Sequence, residues 1–257
     1  MTVTETAGAQ FDFGRVISRT SGLVGRNFVP FFVVALIFAG LPYAVIQLVQ
    51  LPLMKQNPGA AAGILAFGAL LSFVTSMLLQ GTLTRASIDE LSGKPVSIGS
   101  ALAAAFSMIL PLIGLAILIS LGLMLGMLLL IVPAFILAVR WSVASPVLVA
   151  ERLGVFASMG RSAALTQNYR WPIFGLFVVF FILVIVAMTV VGVVTGAGLS
   201  AFAGAANDGP PLPFVAFMSV VQTIISMVAT VGVAAVYFEL RQIKEGVGVA
   251  EIAKIFD

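Results

Sequence analysis

Apolar residues run in long stretches through most of the chain, and polar residues collect in short intervals between them. Six stretches, 28–50, 60–84, 108–131, 132–150, 172–198 and 213–238, are long enough to cross about 30 Å of hydrocarbon as helices rising roughly 1.5 Å per residue. Two of the intervals carry turn chemistry: Pro52 to Gly59 with Lys55, Asn57 and Pro58, and Ala203 to Pro213 with Asn207, Asp208, Gly209, Pro210 and Pro211. Between the third and fourth stretches there is no polar break. Met108 to Ala150 would run about 64 Å as one helix, twice the hydrocarbon thickness. A hairpin near Ile131-Val132-Pro133 resolves the length, because proline removes a backbone donor and pushes its predecessor out of the α region. The rivals are one kinked helix and a re-entrant segment.

The placement of charge separates these options. With six spans, Arg15, Arg19, Arg26, Arg85, Lys94, Arg152, Arg161, Arg170, Arg241, Lys244 and Lys254 all fall on one side, leaving Lys55 opposite. The positive-inside rule then puts both termini in the cytoplasm. Five spans would send Arg152, Arg161 and Arg170 to the other side. Met1 to Gln10 is polar with no basic n-region, and the first apolar run, beginning near Phe28, is about 23 residues long, too long for a typical signal, so it is expected to be a retained span. The expected layout is a tail over 1–10, a membrane domain over 11–246 and a cytoplasmic tail over 247–257, with no additional soluble domain.

A weak internal repeat refines this picture. Ser18 to Pro30 and Gly160 to Pro172 share a basic residue four before a leucine, an Asn-aromatic pair and a proline opening a span. Ser100-Ala-Leu102 leading to Pro111 is a vaguer copy. The repeat suggests three units, each a short interfacial helix followed by a helical hairpin; any amphipathic approach to a span would look similar. Residues 13–27 and 154–169 are predicted to be such helices. In the first, Val16, Ile17, Leu23 and Val24 alternate with Arg15, Arg19 and Arg26; in the second, Val155, Phe156, Met159 and Leu165 oppose Arg161 and Gln167. The predicted fold class is therefore all-α, a polytopic membrane bundle of about six spans with short amphipathic interfacial helices.

Composition narrows the chemistry. Hydrophobic residues make up 61% of the chain and charged residues 9%, too few charges for a water-facing surface. Cysteine and histidine are both absent. That removes the usual zinc, haem and iron–sulfur ligands and every Ser-His-Asp or Cys-His nucleophile system. No glycine-rich phosphate loop with its lysine and no basic-aromatic pattern for nucleic acid is present. No catalytic residue, cofactor or metal ligand is assigned.

Four arginines are the candidate ligand-binding residues, for an anionic lipid headgroup. Arg140 lies inside the fourth span, about ten residues or roughly 15 Å from its basic end, where an arginine costs on the order of 3 kcal/mol on insertion scales. It either serves a headgroup or anion site within the bundle, with Gln47, Gln80, Gln222 or Glu151 as nearby polar groups, or snorkels to the interface beside Trp141. Arg152, Arg161 and Arg170, with Trp171, either hold anionic headgroups or are ordinary topogenic charge. Gly59 to Gly63, Gly122 to Gly126 and Gly192 to Gly196 are small-xxx-small patterns for close helix packing, within the chain or between subunits. Asp89 and Glu90, adjacent in a polar loop, read as solvated.

The stretch Ile131-Val-Pro-Ala-Phe-Ile-Leu-Ala-Val-Arg140-Trp-Ser-Val-Ala-Ser-Pro146-Val-Leu-Val-Ala-Glu151, continued by Gly154 to Arg170 and by Tyr237-Phe-Glu-Leu-Arg241 with Lys244-Glu-Gly246, resembles a signature of YciC-like inner-membrane proteins. It also resembles the membrane domain attached to some glycerophosphoryl diester phosphodiesterases. Ala134 departs from the glycine that many relatives carry after this proline. The resemblance implies a polytopic helical domain in a lipid-related setting and carries over no catalytic residue. The resulting expectation is a non-enzymatic inner-membrane protein that organises or senses lipid or serves envelope homeostasis. Its partners would be membrane lipids, chiefly anionic phospholipid, with no nucleic acid, and a second copy or another membrane protein beside it. The alternative is a secondary transporter, or a carrier of lipid or small anions, with a site near Arg140. An intramembrane enzyme ranks last, for want of His, Cys or a carboxylate pair.

Overall fold

The computed structural model describes residues 11–56, 58–201 and 212–246, giving only the backbone for 50–56, 58, 60 and 194–201. The expected tails over 1–10 and 247–257, and the loop centred on 203–211, lie outside the described residues. Within them every regular element is helical: α1 (Phe13–Arg26), α2 (Phe28–Ala35), a π-helical turn (Leu36–Gly40), α3 (Leu41–Gln56), α4 (Pro58–Leu91), α5 (Ile98–Ser107), α6 (Ile109–Leu129), α7 (Ile131–Arg140), α8 (Ala144–Glu151), α9 (Val155–Thr166), α10 (Arg170–Ala201) and α11 (Leu212–Glu245). Six segments are long and apolar enough to cross a membrane: Phe28–Val49, Ala61–Leu91, Ile109–Leu129, Ile131–Glu151, Arg170–Val193 and Leu212–Glu245. The chain is a multi-pass, all-α membrane protein.

Proline sets the entry to five of these helices. Pro30, Pro111, Pro133, Pro146 and Pro172 each occupy the third position of the helix that begins at Phe28, Ile109, Ile131, Ala144 and Arg170. The first turn of a helix has no intrahelical acceptor for its N–H groups, so the missing proline donor costs nothing there. The turn between the third and fourth spans follows this rule. It sits at Leu130, whose extended backbone (φ −172°, ψ 155°) separates α6 from α7, one residue before the predicted stretch. Pro133 starts the returning helix and does not form the apex.

The two helices then pack antiparallel. A Cβ on Gly126 would lie 3.0 Å from the backbone N and Cα of Ala134, and one on Gly122 would strike the Trp141 ring at 2.5 Å. This small-xxx-small pair therefore packs within the chain. Gly63, in contrast, has nothing within 4 Å of its added Cβ. The break expected over 52–59 is shorter than its composition suggests, because α3 continues to Gln56 and α4 begins at Pro58. Leu53, Met54, Lys55 and Gln56 are all good helix formers.

Three short helices, α1, α5 and α9, each precede a pair of spans, which is the arrangement the repeat suggested. Two are capped by side chains: Asp12 accepts from the Arg15 N–H at 3.2 Å, and Ser97 accepts from the Ser100 N–H at 3.5 Å. α1 buries Val16 and Leu23, two turns apart on one face, as the pattern requires. α9 behaves differently. Its inward face is Ser158, Ser162, Ala163, Leu165 and Thr166, while Phe156 is 76% exposed. The stripe of Ser158, Ser162 and Thr166, four residues apart, lets α9 come close to its neighbour, whereas the apolar residues divide between core and surface.

α11 is the central helix, packed against α1 to α4, α8 and α9. Val215, Ser219, Thr223, Met227, Val231 and Ala235 recur every four residues along its buried stripe. Near its C-terminal end the burial widens to Ala234, Val236, Tyr237, Glu239 and Leu240, where α1, α8 and α9 wrap it. α10 is peripheral: from Phe174 to Val193 none of its side chains is buried. In water this would be an unstable helix. In lipid, apolar side chains on a span need no protein cover.

Candidate functional site

The ends of the first, second, fourth and sixth spans come together through ion pairs. Glu239, on α11 and fully buried, lies 2.5 Å from Arg19 and 2.9 Å from Arg15, both on α1. Arg19 also donates to Gln242, and its guanidinium sits 5.2 Å from the Phe238 ring centre. Arg26 lies 2.6 Å from Glu90, which also accepts from the Asn27 amide. Arg85 pairs with Asp89 at 2.9 Å, one turn along α4. Asp89 and Glu90 are thus structural ion-pair partners, not merely solvated loop acids. Arg161, on α9, bridges Glu151 of α8 at 3.1 Å and Glu245 of α11. Tyr237 donates to the same Glu151 at 2.9 Å, and Arg241 reaches Glu245 at 2.9 Å. The segment after Glu151 thus meets the end of α11 through Arg161, as an even number of spans up to that point requires.

The pairing divides the nine arginines of the chain into two groups. Arg15, Arg19, Arg26, Arg85, Arg161 and Arg241 are held by carboxylates. Arg140, Arg152 and Arg170 have no acidic or hydrogen-bonding side-chain partner among the described residues, and all three are exposed. Three of the four arginines singled out from the sequence are therefore free. The fourth, Arg161, is engaged by two carboxylates.

Local structure explains where each free arginine sits. The fourth span breaks over Trp141, Ser142 and Val143, so Arg140 is the last residue of α7. Ending a helix leaves carbonyls without partners. Arg140 O is satisfied from α9, accepting from Ser162 Oγ at 2.9 Å and Thr166 Oγ1 at 3.3 Å. Its guanidinium points outward, and Glu151, one of its proposed partners, belongs to Arg161 and Tyr237. The Arg140 side chain is thus exposed on the bundle's surface, apart from the cavity lined by Gln80 and Gln222.

Arg152 ends α8 in the left-handed region (φ 52°), its N–H bonded to Leu148 O at 3.0 Å. That conformation turns the chain sharply into α9. Arg170 is the first residue of α10, beside Trp171, which is 82% exposed. Trp171 meets Phe174 edge-on at 6.1 Å, and Phe174 meets Phe135 of α7 at 5.8 Å. An aromatic row thereby connects the start of α10 to the helix that ends in Arg140.

The polar residues predicted within spans go elsewhere. Gln47 donates to the Tyr43 hydroxyl at 3.2 Å. Gln80 and Gln222 line one cavity between the first, second and sixth spans, away from Arg140. Sequence reasoning missed Glu239 as a structural centre. The available signal was a carboxylate inside the apolar run Ala234-Ala-Val-Tyr-Phe-Glu239-Leu. No family model, curated protein or solved structure matches the chain.

Proposed function

We propose that this chain is a non-enzymatic protein of a bacterial inner membrane whose basic end faces the cytoplasm and holds anionic phospholipid headgroups, organising or sensing lipid there. The observation that carries the reading is the division of the arginines. Where carboxylates are available they are used, yet Arg140, Arg152 and Arg170 stand exposed and unpaired. An unpaired guanidinium at a membrane boundary finds its complement in phosphate oxygens, which its planar fork binds in bidentate fashion. Exposed Trp171 beside Arg170 suits the headgroup level, where an amphipathic ring has one wet and one apolar side. The resemblance of residues 131–172 to lipid-associated membrane domains points the same way.

Each basic residue near an anionic surface contributes about 1 kcal/mol. Replacing Arg140, Arg152 and Arg170 together by glutamine removes about 3 kcal/mol, a weakening on the order of a hundredfold. The test is native mass spectrometry of the protein released from nanodiscs containing equal phosphatidylglycerol and phosphatidylcholine. The wild type is expected to retain phosphatidylglycerol selectively and the triple variant to retain neither preferentially. Lys94→Gln, an exposed loop cation, should behave as wild type. Undiminished phosphatidylglycerol retention by the triple variant would reduce these arginines to topogenic charge.

A further inference from the structure

A second place in the molecule has the features of a binding site, and it is chemically unlike the basic end. Between α3 with its π-helical turn, α4 and α11 lies a cavity of about 410 Å³. It is built at a local irregularity. In the π turn the Leu41 N–H reaches back to Leu36 O, five residues away, which widens the helix. Gly40 ends the turn, and its carbonyl accepts from Ser219 Oγ of α11 at 2.7 Å. A Cβ at Gly40 would collide with the hydroxyl of Thr223 and stand 3.1 Å from that of Ser219. Glycine and two hydroxyls thus hold the widened turn against the central helix, and π turns of this kind are frequent at functional sites.

The lining is mostly apolar, and the polar groups set into it carry no charge. Tyr43, Ser76, Gln80, Gln222, Ser226 and Thr230 bring hydroxyl and amide groups to it, beside apolar neighbours such as Phe38 and Leu79. Gln80 lies five residues before Arg85, the first charged residue of α4, about 8 Å from it along the helix. Gln222 lies 17 residues before Glu239, about 25 Å deep. The cavity therefore lies within the apolar length of the spans that form it.

Its hydrogen-bonding capacity is only partly spent. Ser76 Oγ donates to Phe73 O at 2.7 Å and Thr230 Oγ1 to Ser226 O at 2.8 Å, which leaves their oxygens as acceptors. The Tyr43 hydroxyl accepts from Gln47, which leaves its proton to donate. Gln222 makes one long contact, at 3.5 Å, to Ser226 Oγ. The Gln80 amide, with donors and an acceptor, has no partner among the described residues. An ion entering here would meet no opposite charge at a depth where that is costly. A purely apolar occupant would leave the amides unpaired.

We infer that this cavity binds an uncharged molecule bearing both hydroxyl and carbonyl groups, such as a diacylglycerol, entering from the bilayer. The site uses none of the free arginines, so it stands or falls independently of the lipid-headgroup reading. The experiment uses the full chain in nanodiscs with a diacylglycerol carrying a photoreactive diazirine near the ester, followed by peptide mapping. In the wild type the label is expected within 72–80 of α4 and 222–230 of α11. The pair Gln80→Leu and Gln222→Leu should reduce it at least tenfold. Ala229→Phe, which fills the cavity without removing a polar group, should do the same while leaving the thermal unfolding midpoint unchanged. Excess free glycerol should not compete; competition would assign the site to a water-borne polyol and overturn entry from the bilayer. Labelling spread over the exposed face of α10, or unaffected by both variants, would overturn the site itself, leaving a cavity that holds water only.

Discussion

Arg19 holds the most deeply buried charge among the described residues, and removing it has a calculable consequence. Glu239 has no exposed surface, Arg19 is 19% exposed and 2.5 Å away, and Arg15 is 48% exposed and 2.9 Å away. Arg19→Met keeps an apolar side chain of similar length but loses the guanidinium over the Phe238 ring and strands the carboxylate with its more solvated partner. Breaking a buried pair from one side costs about 3–5 kcal/mol, chiefly because the remaining charge is uncompensated. With Arg15 still in reach the lower end applies, about 3 kcal/mol. Arg15→Met removes a half-exposed pairing and should cost about 1 kcal/mol or less. The two variants should separate clearly in unfolding by sodium dodecyl sulfate titrated into mild-detergent micelles and followed by far-ultraviolet circular dichroism. The sharper check is rescue. Adding Glu239→Gln to Arg19→Met eliminates the stranded charge and should restore at least half of the loss. The reasoning fails if Arg15→Met costs as much as Arg19→Met, or if Glu239→Gln adds its own loss to that of Arg19→Met instead of offsetting it.

Gly126→Val should destabilise the α6–α7 hairpin by about 1–3 kcal/mol, because the atoms in its way are the backbone of Ala134 and cannot turn aside; Gly63→Val, in open space, should leave the thermal midpoint unmoved. Arg161→Gln leaves Glu151 and Glu245 facing each other without their bridge. Limited proteolysis should then cut the Arg152-Leu153-Gly154 connection faster than in wild type, with the cut fraction rising in low salt, where the like charges are less screened.

Much of the architecture was legible because the membrane imposes it. A run such as 108–150 without a polar turn is twice the hydrocarbon thickness, which favours two spans, and proline near its middle locates the reversal to within a residue. The face of α9 was not legible. Ser158, Ser162 and Thr166 look like the polar side of an amphipathic helix, but Thr166 and Ser162 are needed inside, on the carbonyl left bare where α7 ends at Arg140. The one local mark of that break is Pro146, whose ring excludes a helical carbonyl at Ser142; Trp141 to Val143 are otherwise helix-compatible. The candidate arginines were legible as a set but not individually. Arg161 and Arg152 differ only in which carboxylates the fold brings near, and Glu245 lies 84 residues from Arg161. The π turn was likewise invisible, because it depends on a glycine meeting Ser219 and Thr223 on a helix far along the chain.

The whole account requires the chain's basic junctions to share one side of a membrane, with the reversal at Leu130 counted as a full turn between spans. The chain has no cysteine, so single cysteines report their location without background. Lys55→Cys, Lys94→Cys and Gly154→Cys, each probed with a membrane-impermeant maleimide on intact and on permeabilised cells, test it most directly. The prediction is that Lys55→Cys is labelled in intact cells, and that Lys94→Cys and Gly154→Cys are labelled only after permeabilisation. Labelling of Gly154→Cys in intact cells together with Lys55→Cys would contradict the six-span arrangement and remove the common basic face on which the lipid reading rests.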